Sequence, residues 1–302
     1  MHVIVAFAAP SAASWSAAEA GLRALAPAAL RALDDWQPQA AQALAPHDAA
    51  WPHERALARA LGWPDEGDLP MAAWSQGRSG QAMAWLSPCH WQLGMDQAWL
   101  GSPEDTALHP DEAHALCADL AAHLAHDGLS LQPDGPGRWR SEGALWQGWS
   151  SPSPERMAGQ SVRDWVGPAR WPAAWRRLHS ELQLLLDQHP LNEARALRGL
   201  PLINAVWPHG VGVLPAPSDQ VRLETRLLAP ALAGDLPAWL AQWPALLQEW
   251  AGMPDLQTLS LCGAQGVQVW QRQPPAWPAR LWRRWQTPAL LQAWQTLSKE
   301  HP

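Results

Sequence analysis

Residues 184–212, LLLDQHPLNEARALRGLPLINAVWPHGVG, decide how the chain is read. An apolar helix end (Leu182, Leu184, Leu185, Leu186) runs into His189-Pro190. Proline stops it there, because it has no amide hydrogen and crowds the preceding turn. A short second helix is predicted to follow, with Asn192 as its cap, Arg195 and Arg198 on one face, and Gly199 at the left-handed terminus that glycine tolerates best. The pattern then changes. Leu202–Trp207, apolar except for Asn204, reads as a strand buried on both faces, and Gly210-Val211-Gly212 as a sharp turn at its carboxyl end. Ligands bind at that end of open α/β sheets, which makes Asn192, Arg195, Asn204 and His209 the candidate ligand-binding residues.

On the amino-terminal side, His2–Phe7 is a β-rich run, predicted to be the first core strand, and residues 16–35 have helical spacing interrupted at Pro27. A helix is expected over 54–61. From Gln81 the texture changes: two strands joined at Gly94, a helix over 110–126 opening with Asp111 and Glu112, and two short strands around Leu129–Leu131 and Trp139. Ser-Pro-Ser-Pro at 151–154 marks the exit, and a helix over 173–188 is expected to return to the main sheet. Beyond Gly212 the pattern gives a strand at 221–228, a helix at 236–250, a strand pair at 256–262 and 266–270, and a last helix at 278–299 kinked at Pro288.

Composition limits the function classes. Hydrophobic residues make up 47% of the 302 residues against 16% charged, enough for a packed interior rather than a disordered chain. With 23 Trp, one Phe and no Tyr, indole must do the aromatic filling, and each buried indole N–H then needs an acceptor. A net charge of −7 argues against broad capture of nucleic acid. Cys89, Cys117 and Cys262 form no paired metal motif, and no stretch reaches the ~18 apolar residues of a membrane span. The expectation is an unexported, cytoplasmic protein with no bound metal or cofactor.

Other constellations have ordinary explanations. His123 and His126 share a helix face with Asp119 and Asp127 nearby, but lack the four-residue spacing of zinc proteases, and a solvated face accounts for them. Cys89 and His90 are adjacent on a strand and so point to opposite faces. Gly77-Arg78-Ser79-Gly80 lacks the strand and helix that a nucleophile elbow requires. The Trp/Arg-rich segment from Trp270 to Trp285 is compatible with a core-facing helix that has an exposed Arg edge.

Taken together, His189-Pro190-x-Asn192, Arg195, Gly199, Asn204, Trp207 and Gly210-x-Gly212 resemble the archaeal-type cofactor-independent phosphoglycerate mutases of the alkaline phosphatase superfamily. Ser87-Pro88-Cys89-His90-Trp91-Gln92, Asn192-Glu193-Ala194-Arg195 and Leu259-Ser260-Leu261-Cys262-Gly263 are similar to the RpfE-type regulatory proteins. The resemblance implies a three-layer α/β core with a mostly parallel sheet, built from 1–75 and 170–302, and an inserted α+β domain at 76–169. It also implies two divalent ions held by Asp and His, because a phosphoryl group in transfer needs its charge neutralised at both oxygens.

The chain departs from that pattern. The family takes an Asp from the end of its first strand and most other ligands from Asp-x-x-x-His and Asp-His motifs in its last third. Here the first strand ends in Ala8-Ala9, and the only His after Gly212 is His301. The expectation is a phosphoglycerate mutase-like but catalytically degenerate protein that binds a small anionic ligand or a regulatory protein partner. The alternative is an active phosphotransferase with a relocated manganese or magnesium site. For the polar groups at 192–209 two accounts stay open: they bond to neighbouring protein groups and fix the helix-to-strand connection, or Arg195 and His209 face a cleft and hold an anion.

Overall fold

The computed structural model describes residues 1–25, 31, 33–45, 48–64, 69–95, 97–135, 137–216, 218, 220–273 and 287–298. It divides into two compact units, Met1–Trp63 with Ser218–Pro302, and Pro64–Pro217. In chain order the strands are β1 (His2–Val5), β2 (Trp36–Pro38), β3 (Gln42–Ala43), β4 (Ala82–Cys89), β5 (Trp91–Leu93), β6 (Ala98–Leu100), β7 (Ser130–Pro133), β8 (Trp139–Glu142), β9 (Ala205–Val213), β10 (Val221–Glu224), β11 (Thr258–Cys262) and β12 (Gly266–Arg272).

The first unit is α/β. Its sheet runs β10-β1-β11-β12-β2, with β3 also on β12. The β-branched run of β1 lies parallel to both β10 and β11. Alternation turns Val3, Val5, Leu259 and Leu261 into one apolar cluster with Ala18, Leu22, Trp239, Trp243, Leu246, Leu290 and Trp294. These last belong to helices Trp15–Arg23, Leu236–Ala251 and Ala289–Leu297. Helix Pro52–Ala60 lies against the same strands and buries Ala56 and Leu57. Its first turn is fixed by Pro52 and by Glu54, whose carboxylate accepts the Trp51 amide at 2.7 Å.

The sheet is mixed, not mostly parallel as the resemblance implies. β12 runs antiparallel to β11, and β2 and β3 run antiparallel to β12. The cause is local: Gly263 N donates to Gly266 O at 2.9 Å, and so short a connection can only join antiparallel strands. Pro288 is the cap that precedes helix Ala289–Leu297, so it starts that helix and does not kink it. The rest of the expected helix, and the Trp/Arg segment beyond 273, lie outside the described residues.

The second unit is built on an antiparallel sheet, β7-β8-β4-β9, with a β5–β6 hairpin. Helix Pro110–Leu124 follows a proline in its first position, with Glu112 accepting the His109 amide. Helix Ala173–Asp187 packs on β9 and buries Trp175, Leu178, Leu182 and Leu186. This corrects the expected division. The segment 170–217 belongs with 76–169 because β9 pairs antiparallel with β4 from Ala82↔Val213 to Cys89↔Ala205, and does not join the parallel strands of the first unit.

Gly210 and Gly212 also do something other than turn the chain. They lie inside β9, which continues to Val213. At Gly210 φ is +59°, and a Cβ there would sit 2.7 Å from Trp85 Cε3 and 3.1 Å from Ala72 N. The bare Cα is what lets the Trp85 indole close on the strand. Gly199 has nearly the same φ, +68°, with nothing within 4 Å. Gly199→Ala is therefore expected to cost about 1 kcal/mol from backbone strain alone, and Gly210→Ala about 3 kcal/mol from strain plus overlap. Urea unfolding of the two variants tests this; equal losses would mean that Trp85 does not press on Gly210.

Candidate functional site

The structure places each of the four sequence-predicted site residues against protein partners. Helix Pro190–Leu197 is capped by His189, whose Nδ1 accepts from Leu191 N at 3.1 Å. Asn192 is thus not the cap. It donates to Leu186 O at 2.7 Å and Ile203 O at 2.8 Å and accepts from Ile203 N at 2.9 Å, which clasps the end of helix Ala173–Asp187 to the start of β9. Asn204 makes a paired bond with Trp91, accepting from its N at 2.7 Å and donating to its O at 2.9 Å.

Arg195 is fully buried. Its Nε donates to Pro201 O at 2.9 Å, one terminal nitrogen to Glu112 at 2.6 Å, and the other to Thr106 O. Arg198, on the exposed side, bonds the second Glu112 oxygen. Burial pushes the Glu112 carboxyl up, but Arg198, the His109 amide and Arg195 together hold it below the usual carboxylate range. With no exposed surface and an acceptor on each nitrogen, this guanidinium offers phosphate no open face. The geometry at Arg195 is that of the structural account.

His209 lies elsewhere on β9, buried, with Nε2 3.0 Å from Ser87 Oγ and its ring 5.4 Å from that of Trp85. Burial, reinforced by Arg138, pushes its pKa down to about 3, so it carries no charge at neutral pH to attract an anion. Trp85 in turn donates to Asp134 at 2.7 Å, and the Arg138 guanidinium stands 4.1 Å from its ring centre. Asn192, Arg195 and Asn204 gather at the helix-to-strand connection; His209 does not join them.

The remaining motifs also find structural partners. His123 faces Glu181 at 3.2 Å, Asp127 pairs with Arg177, and Asp119 meets His189 at 2.9 Å. Among the described residues no group of three or more His, Cys, Asp and Glu is arranged to hold a metal ion. Cys89, Cys117 and Cys262 are free and buried, and burial pushes all three thiols up, away from nucleophilic thiolate.

What the sequence reading missed is a cavity of about 90 Å³ in the first unit. Its walls come from the segments that follow the carboxyl ends of the parallel strands: Phe7, Ala9 and Pro10 after β1, Pro230 and Ala231 after β10, and Ala264 after β11. Leu236 and Trp239 close one side, and Ser11 and Ser14 supply side-chain hydroxyls. In open α/β sheets this is the edge where ligands sit. No local signal could have assembled it, since the three segments are more than two hundred residues apart at their extremes.

No family model and no curated protein matches the chain. Among solved structures it is similar to the PH0037 protein from Pyrococcus horikoshii, at 10% identity over 90% of this chain and 87% of that one, with a TM-score of 0.47. It is also similar to a cofactor-independent phosphoglycerate mutase from Thermoplasma acidophilum, at 10% identity over 99% of each chain, with a TM-score of 0.38. At such identity and such scores neither neighbour says what this chain does.

Two outcomes are expected. Arg195→Ala removes the buried counter-charge of Glu112 and leaves the Thr106 and Pro201 carbonyls without their donor, and should lower stability by about 3 kcal/mol, whereas Arg198→Ala, half exposed, should cost under about 1 kcal/mol. Thermal unfolding with and without 3-phosphoglycerate checks this: an anion-binding Arg195 would instead leave the unliganded melting point alone and remove a ligand-induced rise. The second concerns acid. His53 and His209 are pushed down to about 3 and His179 to about 4, chiefly by burial, so each takes up a proton near pH 6.5 only when unfolded. Stability is therefore complete above about pH 6.5 and falls on acidification, by about 1.4 kcal/mol per pH unit for each histidine, until its folded pKa is reached. Urea titrations between pH 7.5 and 5.0 should give a shallower acid slope for His209→Gln; an unchanged slope would mean that His209 is accessible to protons in the folded chain.

Proposed function

We propose that the chain is a phosphoglycerate mutase-like protein, of the RpfE-type regulatory kind, that has given up phosphoryl transfer and acts by binding a ligand or a regulatory protein partner in a reducing, cytoplasmic setting. The fold assignment and the expected chemistry rest on the sequence resemblance. The observation that carries the loss of chemistry is the lining of the cavity at the sheet's carboxyl edge. Where two-metal transfer needs carboxylates and imidazoles, the cavity there is walled by Phe7, Ala9, Pro10, Pro230, Ala231, Leu236 and Trp239. An apolar wall gives a metal ion nothing to bind and leaves the developing charge of a transferring phosphoryl group unneutralised. Net charge supports the same reading in a smaller way, since −7 disfavours nucleic acid as the partner.

Purification in manganese followed by metal analysis, with a phosphoglycerate mutase assay on the same sample, tests the proposal. The expected result is less than one tightly held ion per chain and no turnover above a heat-denatured control. About two ions per chain together with turnover would establish the alternative, an active phosphotransferase with a relocated site.

A further inference from the structure

We propose that the cavity at the carboxyl edge of β10, β1 and β11 binds a small, neutral, largely apolar molecule with a single hydroxyl or carbonyl group. Among the described residues that line it none is ionisable. A phosphate or carboxylate entering would lose its hydration without gaining a counter-charge, which is strongly unfavourable, whereas an apolar body loses nothing by leaving water. A polar group on the guest has a side-chain partner at hand. Ser11 Oγ donates to Ser14 Oγ at 2.9 Å and accepts the Ser14 amide at 3.2 Å, which leaves the Ser14 hydroxyl hydrogen for an acceptor on the guest.

The wall is also preformed. Phe7 holds φ of +52°, a conformation disfavoured for a side chain of its size, and it is kept there from three sides. Its carbonyl accepts Trp239 Nε1 at 2.9 Å, its ring stands edge-on to Trp51 at 4.9 Å, and the following Ala8 amide donates to Cys262 O at 2.6 Å. A guest therefore meets a surface already in place and spends little affinity on ordering it. A volume of about 90 Å³ has room for roughly six to nine non-hydrogen atoms, taking about 10–15 Å³ for each water-sized centre. Phenol and cyclohexanol match that size and chemistry; 3-phosphoglycerate does not.

The assignment rests on the non-catalytic reading above, and the two can fail separately. Calorimetric titration and ligand-observed NMR of the full chain with phenol and cyclohexanol should give saturable binding, with a dissociation constant of about 1 mM or tighter. Ala231→Leu fills the cavity and should weaken phenol at least about tenfold, with the fold checked by circular dichroism. Ser14→Ala leaves the cavity open and should weaken phenol but not benzene, which makes no hydrogen bond; it decides the matter should Ala231→Leu fail to fold. No saturable phenol or cyclohexanol binding, binding indifferent to both substitutions, or 3-phosphoglycerate binding that Ala231→Leu abolishes would overturn the assignment. Bound manganese with mutase turnover would remove the non-catalytic reading whatever phenol does, while an inert, metal-free chain that ignores both alcohols would remove only the cavity assignment.

Discussion

A guanidinium with no exposure to water must find its counter-charge and acceptors within the protein, and in the second unit each of the three Arg195 nitrogens has one. Glu112 supplies the charge from the first turn of helix Pro110–Leu124, Thr106 a carbonyl from the short 3-10 turn before that helix, and Pro201 a carbonyl just after Arg195's own helix. The stretch 106–112 is thereby tied to the connection that carries Arg195, more than eighty residues on. A pair of this kind adds little net stability over apolar packing, but removing one partner is severe, so it specifies an arrangement more than it strengthens one. Asn192 and Asn204 extend the same logic to backbone groups that helix and sheet leave unpaired.

Indole imposes the second constraint. With one Phe and no Tyr the aromatic core is almost all Trp, and every buried ring brings an N–H. Several are met by main-chain or hydroxyl oxygens: Trp239 by Phe7, Trp207 by Pro152, Trp149 by Leu145, Trp146 by Ser141. Among the described residues six have no such acceptor: Trp91, Trp270, and four that lie together in pairs, Trp171 with Trp175 and Trp243 with Trp294. These pairs pack edge to face, as Trp243 against Trp294 at 4.8 Å and 78°, where ring–ring attraction offsets part of the cost. Trp239 shows the benefit of a met N–H, since its bond to Phe7 also holds the left-handed residue that shapes the cavity.

What could be read from the sequence was whatever local chemistry decides. Pro110 opens a helix as expected, and the β-branched run after Met1 is an interior strand of its sheet, whereas Pro52 and Pro190 also open helices, ahead of the starts expected at Glu54 and after Asn192. Asn192, Arg195 and Asn204, left open between two accounts, each meet protein partners. The failures concern partners distant in sequence. Gly210 and Gly212 look like a turn because nothing nearby shows that Trp85, across the β4–β9 pairing, needs a bare Cα at Gly210. Pro208 looks incompatible with a strand until β9 proves to be the edge of its sheet, where a missing amide costs no ladder bond. The same holds for the domain boundary, which follows from β4 having claimed β9, a pairing that no periodicity encodes.

Charge is distributed in a way that bears on the proposed role. In the second unit the buried guanidinium at the connection and the imidazole on β9 are committed, one to three oxygens and one to Ser87 in its neutral form, so neither is free to neutralise a transition state. In the first unit the side chains that line the cavity at the sheet's carboxyl edge are two serines and otherwise apolar. Electrostatic catalysis works by donors and charges fixed in advance at the reacting atoms, and it cannot be replaced by apolar area, which stabilises ground and transition states alike. A wall of that composition does retain the one property area confers, selective uptake of an uncharged body. Occupancy would then bear on Phe7, whose carbonyl, ring and following amide are joined to helix Leu236–Ala251, to Trp51 and to β11. A guest that favours this arrangement stabilises it by its differential affinity and no more. That is how a site without chemistry can still serve a regulator.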